Sequence, residues 1–408
     1  MRLTHLSLTN FRNFTRLDVD VPGKTVLLVG DNAQGKTSLL EAIYFLATLA
    51  SFHASQDRQL INFLASREAL AVARIVADFQ RGHRTHRLEV RIIQEMNGFE
   101  SAPKMRKEVL FDGAKLKTNE AVGHFNAVLF LPQMLSIVDG APEERRRYLN
   151  LALAQVIPHY ADELADYTRA LTQRNALLKQ LSEHPGDPSQ LDYWDDLVTK
   201  SGAQVIFQRI RAVQELERLA VRLHSELTKG CEVLRLSYQP AYDPMPQAPG
   251  QYQLALEAAV DRSGIPVEQI RSGFKEKLIR VRSEEIARGV TTVGPHRDEL
   301  RFLSNGIDLG SYGSRGQVRT AVLALKLAEV SWMKEKTGHW PVLLLDEVLA
   351  ELDLQRRADL LLRLADCEQA LLTTTDLDLF DPEFVHKNTL WRIQAGRLTE
   401  EDQHGNQG

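Results

Sequence analysis

The chain has 408 residues, 43% of them hydrophobic and 25% charged, with a formal net charge of −4. That balance argues against a disordered polypeptide, and the length leaves room for more than one lobe. The two cysteines, Cys231 and Cys367, stand far apart in no C-x-x-C, which argues against disulfides or a zinc site and fits a reducing cytoplasm; no apolar run approaches the ~18 residues of a membrane span.

Met1 to Leu8 alternates apolar with polar residues, which predicts a strand rather than a secretory segment. Leu3–Thr9 and Thr15–Val21 read as an antiparallel pair. Thr25–Val29 is a continuous β-branched and aliphatic run, as in a strand buried on both faces. A glycine loop follows it, then a helix over Lys36–Ala50. Gly30-Asp31-Asn32-Ala33-Gln34-Gly35-Lys36-Thr37 matches G-x-x-x-x-G-K-S/T, with Ser38 next. Such a loop curls so that backbone N–H groups meet phosphate oxygens, and the helix behind it offers its positive end to the same charge. Lys36 then reaches the β and γ phosphates and the Thr37 hydroxyl ligates Mg²⁺. By composition alone the pattern arises in roughly one to two per cent of chains this long. The buried strand before it and the helix after it set it apart from an accidental turn.

Two more strands are expected within Leu70–Ile93. Val109–Leu116 reads as a hairpin around Asp112-Gly113. The pattern then changes. Ile157, Tyr160, Leu164, Tyr167, Leu171, Leu178 and Leu181 share one helix face. Pro185-Gly186-Asp187-Pro188 breaks it, and a second long helix runs from Trp194 to Leu227. The pair predicts an antiparallel helical arm, too short for an extended coiled coil. Arg301–Leu309 is a hairpin around Asn305-Gly306, and a helix covers Gln317–Glu335. Val342–Leu345 and Ala370–Thr373 add two buried strands. The polar tail from Thr399 is expected to lack fixed structure.

Val342-Leu343-Leu344-Leu345-Asp346-Glu347 ends a buried strand in two carboxylates. Beside a phosphate loop, Asp346 suits Mg²⁺ and Glu347 suits polarising an attacking water, with Lys36 the third catalytic candidate. Lys36 and Asp346 are 310 positions apart, so a large insertion separates two parts of one nucleotide site.

Between those motifs stands Ser314-Arg315-Gly316-Gln317 at a helix start. In that position S-x-G-Q resembles the signature loop of ABC-type ATPases, where it binds the γ-phosphate held by a second subunit. The resemblance further implies that Gln133, in Phe130-Leu131-Pro132-Gln133, contacts Mg²⁺ and nucleotide, and that Asp353, in Glu351-Leu352-Asp353, lies in the loop facing the opposing subunit. Thr373-Thr374-Thr375-Asp376 holds no histidine where transporter-type members have one.

Further stretches narrow the resemblance to the RecF family, among the SMC-like repair ATPases. They are Leu8–Phe14, Gly140–Leu149, Thr292–Leu300 with its Gly-Pro-His-Arg-Asp core, Ser314–Glu329 and Leu343–Arg356. Ala350, Glu347 and the weakly basic Ser51–Asp57 stretch depart from that family's usual pattern. The resemblance implies an α/β ABC-type ATPase head whose mixed sheet is built from both chain ends, plus an inserted α-helical lobe. The expected divisions are 1–140 and 290–398 for the ATPase lobe, 141–289 for the helical lobe and 399–408 for the tail. It implies Arg12 near the phosphates, ATP and Mg²⁺ as ligands, ATP-dependent homodimerisation on DNA and slow hydrolysis. It also implies work with RecR and RecO to help load RecA at single-stranded gaps in the cytoplasm. The acidic net charge leaves room for a local basic face. The candidates are Lys104, Arg106 and Lys107, and the run Arg145-Arg146-Arg147, with Lys115, Lys117 and Lys275–Arg282 as further basic stretches.

Two rival classes fit less well. A transporter ATPase subunit would need a membrane partner and usually the switch histidine. An SMC-type clamp would need a much longer helical middle. A nucleotide-switched scaffold without useful turnover differs from the ATPase reading only in whether Glu347 matters for hydrolysis.

Overall fold

The computed structural model describes residues 1–96, 103–184, 186–245 and 261–401. Its strands are β1 (Arg2–Phe11), β2 (Phe14–Asp20), β3 (Lys24–Val29), β4 (Leu70–Arg81), β5 (Arg84–Glu95), β6 (Lys104–Phe111), β7 (Ala114–Leu116) and β8 (Ala127–Phe130). They continue with β9 (Leu234–Gln239), β10 (Glu299–Ser304), β11 (Ile307–Asp308), β12 (Val342–Asp346), β13 (Gln369–Thr374), β14 (Thr389–Gln394) and β15 (Arg397–Glu401). The longer helices are α1 (Lys36–Thr48), α2 (Pro142–Val156), α3 (Tyr160–Glu183), α4 (Leu191–Leu227), α5 (Val267–Arg288), α6 (Arg315–Thr337) and α7 (Leu354–Leu364). These elements divide into two units, Met1–Gln133 with Met333 onward, and Met134–Trp332.

The first unit holds two six-stranded sheets. One runs β15-β14-β3-β13-β12-β8, parallel except at the β15 edge. The middles of its central strands, Val26–Val29, Ala370–Leu372 and Val342–Leu345, are apolar and buried because both faces are covered. Val26 pairs with Leu371, Leu371 with Leu344 and Leu344 with Leu129, so strands from both chain ends interleave as the mixed sheet requires. The other sheet, β2-β1-β4-β5-β6-β7, is antiparallel. Buried and partly exposed residues alternate along the start of β4, whereas β5 is buried over Leu88–Val90 and Ile92–Gln94. Buried Gln369 ties the two together: its side chain accepts from Leu3 N–H (2.7 Å) and donates to Leu3 O (2.9 Å). Asp112 and Gly113 both have positive φ (49° and 83°), the type I′ geometry that matches strand twist in a two-residue hairpin.

The second unit is mainly helical. α3 and α4 pack as the expected antiparallel arm, with Leu178, Leu181 and Leu191 buried where the helices meet near the turn. α5 packs on both, so the arm is three helices thick rather than two. Its packed face carries Ile270, Phe274 and Leu278, all fully buried.

The boundaries differ from the sequence expectation. Residues 290–332 join the helical unit, not the ATPase lobe, because β10 pairs with β9 and β11 in a separate three-stranded sheet. Trp332 Nε1 likewise donates to Glu215 on α4 (2.7 Å). Asn305-Gly306 closes the β10–β11 hairpin with the same paired positive φ. The tail expectation is also corrected at its start, since β15 runs to Glu401 against β14; residues 402–408 lie outside the described part.

Candidate functional site

The glycine loop between β3 and α1 is clamped from behind. Gln34 O accepts from Asn13 Nδ2 (3.0 Å), at the tip of the β1–β2 hairpin, and from Gly396 N–H (3.0 Å). Gln34 Oε1 accepts from Ala395 N–H (2.6 Å). Glycine is required twice here. A Cβ at Gly30 would stand 2.3 Å from Ile393 O, and Gly35 combines φ 119° with an Asn13 side chain 2.6 Å from where a Cβ would be. Gly30 and Gln34 therefore shape the loop from its back. α1 then starts with no side-chain cap and no acid in its first turn, leaving its N–H groups and dipole directed at the loop.

The parallel register brings the carboxylates to this loop. β12 pairs with β13 and β13 with β3, so Asp346 lies beside Thr373 at the C-terminal ends of the strands. Thr37 Oγ1 lies 3.0 and 2.9 Å from the two Asp346 carboxylate oxygens, and Thr373 Oγ1 donates to Asp346 Oδ1 (2.7 Å). Thr373 Oγ1 accepts from Glu347 N–H (3.0 Å), and Glu347 itself has φ 53°, the kind of backbone strain that collects at functional sites. The Lys36 side chain is only 4% exposed; its ammonium donates to Gly30 O (2.7 Å) and Asp31 O (3.1 Å) and pairs with Glu347 Oε1 (3.2 Å). Two segments more than three hundred residues apart thus form one charged cluster.

These groups line an open cleft of about 560 Å³ that also receives Arg12, Asn32, Ala33, Gly35, Ser38 and Gln133. Arg12 forks onto Glu41 of α1, Nε to Oε2 at 2.6 Å and Nη2 to Oε1 at 2.8 Å. Sequence reasoning missed Asn13, Glu41 and Thr373 as members of this site. Asn13 and Thr373 lie in stretches already singled out by motif, but Glu41 carries no local signal. His53, Gln59 and Phe63 also line the cleft and were not anticipated. A Thr37 hydroxyl and one Asp346 carboxylate facing a phosphate loop is a donor set that fits Mg²⁺, which keeps several waters and shares phosphate oxygens. Among the described residues no group of three His, Cys, Asp or Glu could hold a metal unaided.

In the second unit, Ser314 and Gln317 cap α6 reciprocally. Gln317 N–H donates to Ser314 Oγ (3.2 Å) and Ser314 N–H to Gln317 Oε1 (3.1 Å). Gln317 Nε2 also donates to Glu232 (3.2 Å), while Ser314, Arg315 and Gly316 are exposed. In the first unit, Asp353 caps α7 by accepting from Arg356 N–H (2.9 Å). That hydrogen bond and the Arg356 charge hold its carboxyl below the usual range.

Most of the basic candidates prove to be internally engaged. Arg145 forks onto Glu299 (2.6 and 2.8 Å) and donates to Gly140 O (2.7 Å). Arg146 donates to Asp298 O and Glu143, both at 2.8 Å. Arg106 pairs with Glu95 and Glu108, Lys107 with Asp57 and Leu49 O, and Lys115 with Glu108. Lys275 and Arg282 are likewise paired with Asp196, and with Asp192 and Asp195. Lys104, Arg106 and Arg147 are the residues of these two clusters that are exposed. Alternation of sign across neighbouring strands and helices produces this neutralisation, which a one-dimensional count of lysines and arginines does not register.

The Gly-Pro-His-Arg-Asp segment packs inside the second unit. Fully buried Arg209 of α4 donates to Asp298 Oδ2 (2.7 Å), Pro295 O (2.6 Å) and Asn150 Oδ1 (2.9 Å). His296 Nδ1 meets Tyr167 OH (2.5 Å) and Nε2 meets Thr291 O (3.1 Å), and burial pushes its pKa down to about 4. The segment thus organises the helical unit around a satisfied polar network.

Comparison with known proteins agrees with this geometry. The family described as RecF/RecN/SMC N terminal domain matches residues 2–388. The DNA replication and repair protein RecF of Chloroflexus aurantiacus is 41% identical over 407 residues, covering 98% of this chain and 99% of that protein. Its counterpart in Exiguobacterium sp. is 34% identical over 401 residues, covering 98% of this chain and 100% of the relative. A solved structure described as the recombination mediator protein RecF-ATPrS in the RecFOR pathway superposes with TM-score 0.81 at 29% identity, covering 98% of both chains. The corresponding RecF-ATP structure gives 0.80 at 28% identity with the same coverage.

Proposed function

The chain belongs to the RecF family, and on that premise we propose that it is an ATP-driven DNA-binding ATPase of recombinational repair. The carrying observation is the convergence of Lys36, Thr37, Asp346 and Glu347 on one cleft. In this reading the loop N–H groups and Lys36 bind the ATP phosphates. Thr37, Asp346 and Gln133 would hold Mg²⁺, which supplies charge neutralisation between the β and γ phosphates. Lys36 holds Glu347 before nucleotide arrives. A γ-phosphate competes for the ammonium and releases the Glu347 carboxylate to polarise the attacking water. Arg12 adds positive charge at the cleft wall. The strained backbone at Glu347 supports a catalytic role for it.

Ser314, Gly316 and Gln317 serve the nucleotide of a second copy, with Asp353 in the loop that faces it. One chain is then half of an enzyme, and ATP holds two chains together on DNA until slow hydrolysis releases them. The exposure of Ser314 and Gly316 at the start of a helix supports this reading. The same reading includes action with RecR and RecO to help load RecA at single-stranded gaps, and a cytoplasmic location; no described helix is long and apolar enough to cross a membrane. For DNA contact, the pairing of Arg106, Lys107, Arg145 and Arg146 shifts weight to exposed Lys104.

Sedimentation with and without ATP, on double-stranded, single-stranded and gapped DNA, tests the proposal. The expected result is a dimer on DNA only with ATP, and a nucleotide-independent monomer refutes it. Glu347→Gln should retain the ATP dimer while hydrolysis falls by about 10²-fold or more, as for loss of a general base. Unchanged turnover removes Glu347 from the catalytic role.

A further inference from the structure

We infer that Glu41 is a positioning residue that sets one wall of the nucleotide cleft by fixing the Arg12 guanidinium and the turn that carries His53. This rests on the proposed ATP-binding role of the cleft.

Glu41 lies on α1, five residues after Lys36, and is 1% exposed. A carboxylate so placed must be paired or neutralised. Both its oxygens take the Arg12 fork, and Oε1 also accepts the Ser51 hydroxyl. Arg12 uses a further N–H on Gln59 O (3.0 Å). A guanidinium has five N–H donors, so one remains on each terminal nitrogen. The Arg12 side chain is still 23% exposed and lines the cleft. It is therefore aimed and held, with capacity left for a ligand oxygen.

The backbone shows the same over-determination. Arg12 has φ 52°, a conformation that persists only where its surroundings enforce it. Arg12 N–H donates to Leu60 O (2.8 Å) and Asn62 Nδ2 to Arg12 O (2.7 Å), locking the hairpin tip to the neighbouring segment. Ser51 Oγ, while donating to Glu41, accepts from the N–H groups of His53 (3.0 Å) and Ala54 (2.6 Å). One buried carboxylate thus governs two cleft-lining residues from different segments. Buried ion pairs contribute little net stability against apolar packing, whereas a fixed charge at a polyanion site has direct use.

A thermodynamic cycle on ATP affinity tests this, using the full chain and titration calorimetry with MgATP on wild type, Glu41→Gln, Arg12→Ala and the double variant. The expected result is about tenfold weaker binding for Glu41→Gln, at least as large a loss for Arg12→Ala, and a loss in the double variant far short of the two combined. Ser51→Ala, which removes only the hydroxyl, should weaken binding about threefold, and by less in the Arg12→Ala background, where only its effect through the His53 turn is left. It carries the cycle if Glu41→Gln does not fold. Wild-type affinity in Glu41→Gln, or a full additional loss on Arg12→Ala, overturns the positioning role. An Arg12→Ala variant that binds ATP as wild type overturns it by removing Arg12 from the site. Failure of the wild type to bind ATP overturns the reading of the cleft itself.

Discussion

Gly316→Ala separates what the chain needs from what a second copy needs. A Cβ at Gly316 meets nothing closer than the Ser314 hydroxyl at 3.9 Å, and its φ lies outside the left-handed region. Nothing inside the chain therefore requires glycine there. Alanine at this first turn of α6 should stabilise the chain by about 0.4–1 kcal/mol, because it has less conformational freedom to lose, and raise Tm by about 1–3 °C. If Gly316 instead lies against a triphosphate on a second copy, the methyl pushes the oxygen away from its N–H. Losing a hydrogen bond to a charged group costs roughly 1.5–3 kcal/mol. A two-fold dimer contains the contact twice, so dimer affinity should fall by about 10²–10⁴-fold. Scanning calorimetry reads the first effect, and sedimentation velocity with ATP reads the second. A variant that dimerises like wild type, or melts several degrees lower, refutes the reasoning.

Two further outcomes are expected. Lys36→Arg should weaken ATP binding, and with it dimerisation and retention on DNA, because a planar fork cannot fill a buried slot formed by Gly30 O, Asp31 O and Glu347; ATP-dependent assembly on DNA equal to wild type counts against this. Burial holds the His296 pKa at about 4 against an ordinary 6.5, so the unfolded chain takes up this proton first as pH falls. Stability from the neutral ring is complete above pH 6.5 and is lost between there and about 4, by at most about 3 kcal/mol. Denaturation midpoints measured across that window should vary less steeply in His296→Gln, and an unchanged slope would assign the dependence to other groups.

The glycine loop between β3 and α1, the carboxylate-ended strand and the helix start at Ser314–Gln317 were all legible as local structure. In each, conformation and chemistry sit within about ten consecutive residues, where glycine placement, aliphatic runs and helix starts act locally. The Asp112-Gly113 and Asn305-Gly306 hairpins were legible for the same reason. Glu41 was not, since an acidic residue inside an apolar helix has no signature until the β1–β2 hairpin brings Arg12 against it. Thr373 was noted for a missing histidine, while its contact with Asp346 arises only from strand register.

By itself the sequence determined that this chain carries a glycine loop between strand and helix, a carboxylate-ended strand and an intervening helical insertion, because those properties follow from the order of neighbouring residues. Only the tertiary structure decided that residues 290–332 belong with the helical unit, that Arg145 and Arg146 are engaged by acids, and that Arg12 is steered by Glu41. Strand register and side-chain pairing join residues far apart in the chain, and which distant partner a charge meets is settled by packing, not by its neighbours in sequence.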